Sequence, residues 1–149
     1  MKEDEESKAI KILIADDEKA LVEIIEKMIV HFFNQYPNFN VVVYKTTSGK
    51  EAFQKYAEVK PHLSFIDLVM RDKHGMELID EITSNFQNSK IIVLSPFSES
   101  IIREVKKLGK DTTVLTKPFR IRDLYTAISK VLSTDFPEFS TCFRTDMSL

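Results

Sequence analysis

Five short apolar segments alternate with five amphipathic segments along this chain, and this alternation restricts the possible folds more than any other feature. The amphipathic segments carry apolar residues three and four positions apart, which indicates helices. The apolar segments are nearly continuous runs, as expected of strands covered on both faces, at residues 10–15, 41–44, 63–67, 91–94 and 112–116. Strands that alternate with helices predict a parallel sheet with helices on both faces.

The order of the strands follows from the handedness of the connections. Right-handed crossovers leave few arrangements for five strand–helix units. We expect an α/β fold with a doubly wound, five-stranded parallel sheet in the order 2-1-3-4-5. In such a sheet, ligands bind outside the carboxyl ends of the strands, at the switch point between strands 1 and 3.

Polar residues stand where the predicted strands end. Asp16 and Asp17 follow strand 1, Asp67 ends strand 3, Ser95 follows strand 4, and Lys117 follows strand 5. Because the carboxyl ends of parallel strands share one edge, we expect these five side chains to converge. Asp67 interrupts an apolar run, so its carboxylate loses hydration and resists ionisation unless a cation lies beside it.

Three converging carboxylates repel one another and therefore favour a bound cation. Oxygen ligands without histidine or cysteine suit a hard ion such as Mg²⁺. An ionised Asp67 can then attack phosphorus, while Lys117 and the metal neutralise phosphoryl oxygens and the Ser95 hydroxyl donates a hydrogen bond. Each residue alone also has an ordinary explanation; we expect Asp17, for example, to be the N-cap of the first helix.

The motifs resemble those of the receiver domain of two-component response regulators, a CheY-like, flavodoxin-like fold. The likeness covers about residues 9–133 and rests on Asp16-Asp17, Asp67 with Met70 three residues later, Gly75, Ser95, and Lys117-Pro118-Phe119.

The resemblance implies a phosphorylation-controlled switch in the cytoplasm. Asp67 would accept a phosphoryl group from a sensor histidine kinase or a phosphotransfer protein, and Ser95 and Lys117 would contact the phosphoryl oxygens. The peptide bond between Lys117 and Pro118 would be cis. Such a domain is not an enzyme beyond its own phosphoryl transfer and dephosphorylation.

The resemblance also implies a Mg²⁺ site. Asp17 and Asp67 would bind the ion directly, and Asp16 mostly through water. The main-chain carbonyl of Val69 would complete the set of protein ligands.

Several positions depart from the family pattern. Arg71 stands where proline is frequent, and Pro96 where a small residue is typical. Val69 and Phe97 are apolar at positions where polar side chains help to align a hydrolytic water, which predicts a long-lived aspartyl phosphate. Val114 replaces an aromatic residue that turns inward on activation, and valine has no ring and one stiff torsion.

Three alternatives compete with this interpretation. A flavodoxin-like cofactor binder needs a hydroxyl- and glycine-rich phosphate loop after strand 1, where this chain has Asp16-Asp17-Glu18. A phosphatase with an aspartyl nucleophile normally carries that residue after strand 1, with a second aspartate two residues later. A degenerate receiver, acting as an interaction module without phosphorylation, stays open because of Pro96 and Val114.

Composition limits the other functions. The 149 residues include 21 basic and 23 acidic side chains, a net charge of −2 that does not favour direct binding of nucleic acid. No apolar run approaches the ~18 residues of a membrane helix, so no membrane association is expected. The single Cys142 gives no sign of an oxidising compartment.

We expect three regions along the chain. Residues 1–8 form an acidic N-terminal tail, residues 9–133 the receiver domain, and residues 134–149 an aromatic tail or the start of a linker to an output domain. The aromatic residues of this last region predict docking on the domain or on a neighbour. Charges of both signs around helix 4, strand 5 and helix 5 allow a homodimer, at Lys106, Lys107, Asp111, Arg122 and Asp123.

Overall fold

The computed structural model describes residues 8–96, 99–108 and 112–140. Strands and helices alternate over the whole of this length. In chain order they are β1 (Lys8–Ala15), α1 (Lys19–Phe33), β2 (Phe39–Thr46), α2 (Gly49–Val59), β3 (Leu63–Asp67), α3 (Gly75–Asn85), β4 (Ile91–Pro96), α4 (Glu99–Leu108), β5 (Thr112–Lys117), α5 (Ile121–Leu132) and a 3-10 helix (Pro137–Ser140).

The five strands form one parallel sheet in the order β2-β1-β3-β4-β5. The predicted fold class and strand order are therefore confirmed. β3 lies between β1 and β4, and all five of its residues are buried. This position explains why β3 is apolar apart from the buried Ser64 and Asp67, of which Asp67 ends the strand.

The edge strand β2 is longer than its apolar run predicts. It begins at Phe39 and ends at Thr46, because its backbone pairs with the whole of β1 from Lys8 to Ala15. Asn40 and Lys45 belong to this strand although they are polar. An edge strand tolerates such residues because their side chains reach solvent.

The helices divide the core into two layers, one on each face of the sheet. α1 and α5 cover one face, and α2, α3 and α4 cover the other. Val114 packs against the second layer as a partly buried residue. None of the helices in the described ranges combines the length and the hydropathy that crossing a membrane requires.

The segment after α5 folds back onto the domain. The 3-10 helix places Phe139 in the core with no exposed surface. Its ring lies 4.6 Å from the ring of Tyr36 and 4.7 Å from that of Phe39, between centroids. Phe136 packs beside it, 5.6 Å from Phe39. Because Phe39 begins β2, this segment covers the amino-terminal edge of the sheet.

Some predicted features fall outside the described residues. These are the acidic tail up to Ser7, Phe97, Asp111, Cys142 and Phe143.

Candidate functional site

Three carboxylates meet at the carboxyl edge of the sheet. One oxygen from each of Asp16, Asp17 and Asp67 lies within 4.8 Å of the other two. The register of the sheet explains their proximity, because Ala15 of β1 pairs with Ile66 of β3. Asp16 and Asp67 directly follow these two paired residues, so they lie side by side where the neighbouring strands end.

The hydrogen bonds of Asp16 and Asp17 differ from the prediction. Glu18, not Asp17, is the N-cap residue of α1, and its side chain makes no capping bond. The Oδ1 atom of Asp16 accepts a bond of 2.9 Å from the Glu18 amide, while Oδ2 of Asp17 accepts one of 3.0 Å from the main-chain N–H of Arg71. The predicted capping role of Asp17 is therefore wrong, because its carboxylate turns toward the loop after β3.

Lys117 joins the carboxylates from the end of β5. Its Nζ atom lies 3.1 Å from Oδ2 of Asp16 and 3.5 Å from Oδ2 of Asp67. Burial alone lowers the pKa of Lys117, but its hydrogen bond and charge interaction with Asp16, and then with Asp67, raise that pKa above its ordinary value. The peptide bond from Lys117 to Pro118 is cis, as the family resemblance implies.

Asp67 is almost completely enclosed, with 4% of its surface exposed. Burial raises the pKa of its carboxyl group, and the nearby charge of Asp16 raises it further. Opposing this, Oδ1 accepts a bond of 3.1 Å from the Val69 amide, and Lys117 faces Oδ2. Both oxygens therefore have a partner that fixes the orientation of the carboxylate.

The loop between β3 and α3 closes tightly beside Asp67. The Gly75 amide donates to the Leu68 carbonyl oxygen at 2.9 Å, and the Leu68 amide donates to that of Leu94 at 3.0 Å. A Cβ atom on Gly75 would lie 2.4 Å from the carbonyl oxygen of Asp67 and 2.5 Å from Cα of Leu68. Only glycine permits this close approach of the two backbone segments.

Two other predicted residues lie around this cluster. Val69 follows Asp67 by two positions and is 61% exposed, which leaves this part of the loop open to solvent. Ser95 is fully buried in β4, and its hydroxyl donates to the Pro96 carbonyl oxygen at 2.9 Å.

Sequence reasoning missed the contact made by Asp72. Its carboxylate accepts three hydrogen bonds at the start of α2: from the Ser48 hydroxyl at 2.8 Å, the Gly49 amide at 2.9 Å and the Lys50 amide at 3.1 Å. The unpaired amides of a helix N-terminus need such an acceptor. No local pattern indicates that it comes from a loop more than twenty residues away.

The donor set of the cluster fits Mg²⁺. All side-chain donors are carboxylate oxygens, which match a hard cation, and their mutual repulsion is relieved by a divalent charge. Lys117 supplies one positive charge to Asp16 and Asp67, whereas Asp17 faces the highly exposed side chain of Arg71, whose Nε atom lies 3.7 Å from Oδ2. A cation bound by Asp17 and Asp67 would complement Lys117.

Comparison with known proteins gives a consistent result. The family model of the response regulator receiver domain matches residues 12–129. The chemotaxis protein CheY of Thermotoga maritima is 36% identical over 89 residues, which cover 58% of this chain and 72% of that protein. CheY of Listeria monocytogenes is 29% identical over 123 residues, which cover 81% of this chain and 97% of that protein.

Solved structures show the same fold. CheY4 of Vibrio cholerae superposes with a TM-score of 0.67 at 22% identity, covering 83% of this chain and 99% of that one. A response regulator from Chloroflexus aurantiacus gives a TM-score of 0.74 at 21% identity, covering 85% and 99%. With the matched family model and the arrangement of the site, these findings show that the chain belongs to the family of response regulator receiver domains.

Proposed function

We propose that this receiver domain is a signalling switch controlled by phosphorylation of Asp67, with a sensor histidine kinase or a phosphotransfer protein as the donor. The carrying observation is that Lys117 lies within 3.5 Å of both Asp16 and Asp67 in a cluster of three carboxylates. Receiver domains are regulatory signalling domains, and this cluster has the residue types that phosphoryl transfer needs.

Mg²⁺ is the proposed cofactor. We assign Asp17 and Asp67 as direct ligands, Asp16 as a ligand mostly through water, and the Val69 carbonyl as the main-chain ligand. The ion would neutralise charge on the phosphoryl oxygens. A solved complex of CheX with CheY from Borrelia burgdorferi contains BeF3 and Mg²⁺, and its fold matches this chain with a TM-score of 0.71 at 20% identity.

The chain's own residues supply the remaining steps. A carboxylate oxygen of Asp67 attacks the phosphorus atom, a P–O bond forms, and the bond from phosphorus to the donor's imidazole nitrogen breaks. The Lys117 ammonium neutralises charge on the transferred group, since it already faces Asp67 at 3.5 Å. The Ser95 hydroxyl leaves the Pro96 carbonyl and donates to a phosphoryl oxygen.

The phosphorylated form should be long-lived. Val69 is exposed beside the site but cannot orient an attacking water by hydrogen bonding. Phe97 carries no polar group either. We expect slow spontaneous loss of phosphate from purified phosphoprotein, and rapid loss in the absence of other proteins would contradict this proposal.

The alternative of a degenerate receiver is less well supported. Pro96 and Val114 favour it, because they alter the residues through which activation is usually transmitted. The acidic cluster and its lysine, however, support phosphorylation, because they bring the proposed acceptor, the proposed metal ligands and a positive charge together. A homodimer through α4, β5 and α5, and a location in the cytoplasm without direct binding of nucleic acid or membrane, stay predictions.

The proposal is tested by incubation with acetyl phosphate and Mg²⁺, followed by measurement of intact mass. The wild type should gain one phosphoryl group, and Asp67→Asn should gain none. Asp80→Asn is the matched control, because it removes an exposed carboxylate from α3 and leaves the cluster and its loop unchanged. A gain in both wild type and Asp67→Asn would move the site elsewhere, and no gain in either would favour the degenerate receiver.

A further inference from the structure

We propose that Asp72 is a positioning residue for the metal site, because it anchors the loop between β3 and α3 to the N-terminus of α2. This inference rests on the proposed Mg²⁺ site. It adds a residue that does not touch the ion but holds the loop that carries or orients two of the proposed ligands, the carboxylate of Asp17 and the main-chain carbonyl of Val69.

Three hydrogen bonds anchor Asp72 to the start of α2. The Asp72 carboxylate accepts bonds from the Ser48 hydroxyl and from two main-chain amides, those of Gly49 and Lys50, at 2.8–3.1 Å. A negative charge at a helix N-terminus also interacts favourably with the helix dipole. These three bonds join the loop to α2 across more than twenty residues of sequence.

The loop and the start of α2 also pack closely against each other beside Asp72. A Cβ atom on Gly49 would lie 2.8 Å from Cβ of Lys73, so the loop and the helix are in direct contact. The Lys73 ammonium forms an ion pair with Glu81 on α3. The loop is therefore held from both sides, and its path depends on these two attachments.

The anchored loop also donates a hydrogen bond to one of the three carboxylates. Arg71, directly before Asp72, donates its main-chain N–H to Oδ2 of Asp17 at 3.0 Å. This bond exists because residue 71 is not proline, which has no N–H. The Asp17 side chain is 23% exposed, so without this bond its carboxylate has more freedom to turn toward solvent.

These contacts connect the N-terminus of α2 to the carboxylate cluster. Asp72 fixes the position of Arg71, and Arg71 orients Asp17. Val69 lies in the same loop as Asp72 and Arg71, which has seven residues between β3 and α3. Groups that orient a metal ligand through hydrogen bonds raise metal affinity, and their loss typically weakens binding by about 10–100-fold. Loss of the Asp72 anchor should act in the same way through the loop.

The test is calorimetric titration of the intact chain with MgCl2. Asp72→Ala should raise the Kd for Mg²⁺ about tenfold, at the lower end of the range for such groups. Asp72→Asn should give a smaller increase, because its amide oxygen still accepts a bond from Gly49. Unchanged Kd values in both variants, with binding intact in the wild type, would overturn the inference and leave the proposed function standing.

Two control variants separate positioning from other effects. Asp80→Asn removes one exposed acidic charge from α3, and Phe136→Leu perturbs the packing at the opposite edge of the sheet. Both should bind Mg²⁺ with the wild-type Kd. If either weakens binding as much as Asp72→Ala, general charge or stability explains the effect and the inference is wrong.

Hydrogen exchange gives a second readout. Because coupling between two sites is reciprocal, Mg²⁺ should slow exchange of the Gly49 amide, which donates to Asp72. The Lys60 amide, which donates to Tyr56 at the other end of α2, should be unaffected. Equal effects of Mg²⁺ on both amides would contradict the inference. A wild type that binds no Mg²⁺ would overturn the proposed function together with it.

Discussion

The Nζ atom of Lys117 lies 3.1 Å from Oδ2 of Asp16, although 101 residues separate them in the chain. This contact joins the end of β5 to the end of β1, across the position of β3 and β4. The same ammonium reaches Asp67 at 3.5 Å. One ammonium group therefore compensates the charges of two buried carboxylates, which would otherwise face each other without its positive charge.

Replacing Lys117 with methionine should destabilise the protein by about 1–3 kcal/mol. The loss should be smaller than the ~3–5 kcal/mol of a fully buried pair, because the lysine side chain is 23% exposed. Mg²⁺ should restore part of the loss, since it supplies positive charge to the same carboxylates. Urea denaturation with and without Mg²⁺ measures both effects. Lys117→Arg, which keeps the charge, is the control, and equal stability of Lys117→Met and the wild type would refute the prediction.

Removal of the Phe139 ring should also destabilise the fold, but without an effect on the metal site. Phe139 is fully buried among aromatic rings, so Phe139→Ala should lower the free energy of unfolding by about 3–5 kcal/mol. Its position near the start of β2 is at the opposite edge from Asp67. Denaturation and Mg²⁺ titration together check this, and a changed Mg²⁺ affinity in the folded variant would show that the two edges are coupled.

His62 should make stability depend on pH near neutrality. Burial, and then the charge of Lys11, lower the pKa of this imidazole below its ordinary value of 6.5. As the pH falls below about 6.5, the unfolded chain binds a proton that the folded protein resists, so the free energy of unfolding decreases. The contribution is fully present above that pH.

The variant His62→Asn isolates this effect. The Nδ1 atom of His62 accepts a bond of 2.9 Å from the Lys11 amide, and asparagine offers an amide oxygen as a substitute acceptor that does not titrate. Histidine titrates roughly between pH 7 and pH 5. Over about this range, the free energy of unfolding should therefore fall less in the variant than in the wild type. Parallel curves would contradict the assignment.

Asp72 should make the free energy of unfolding depend on pH in the acidic range. Hydrogen bonds from the Gly49 amide, the Ser48 hydroxyl and the Lys50 amide lower its pKa from 3.8 to about 2. The stabilisation is present above the unfolded value of 3.8 and is lost as the pH falls through about 2. Asp72→Asn should lose this part of the pH dependence. Denaturation of the wild type and of Asp72→Asn, between pH 3.8 and about 2, measures how the free energy of unfolding depends on pH in each protein. The same dependence in both proteins would contradict the prediction.

The sequence was sufficient to predict the strand order of the sheet and most of the residues that meet at the site. Continuous apolar runs indicated buried parallel strands, and polar residues at their ends predicted the meeting of Asp16, Asp17, Asp67 and Lys117. This works because strand order and direction follow from general rules of connection.

Loop contacts were not predictable in the same way. The bonds of Asp17 with Arg71, and of Asp72 with α2, depend on the path of a loop whose residues have no periodic pattern. Aromatic residues indicated that the segment after α5 would dock, but no rule gave the edge of the sheet to which Phe139 would bind. The limits of the domain at residues 9 and 133 stay a prediction.

The central claim is that the carboxylates at this edge hold a divalent cation beside Lys117. A crystal soaked with MnCl2, with Mn²⁺ as an anomalous substitute for Mg²⁺, tests this most directly. We predict one strong anomalous peak about 2.0–2.3 Å from carboxylate oxygens of Asp17 and Asp67 and from the Val69 carbonyl oxygen, absent in Asp67→Asn. No peak at this cluster in the wild type, or a peak that persists there in Asp67→Asn, would contradict the account.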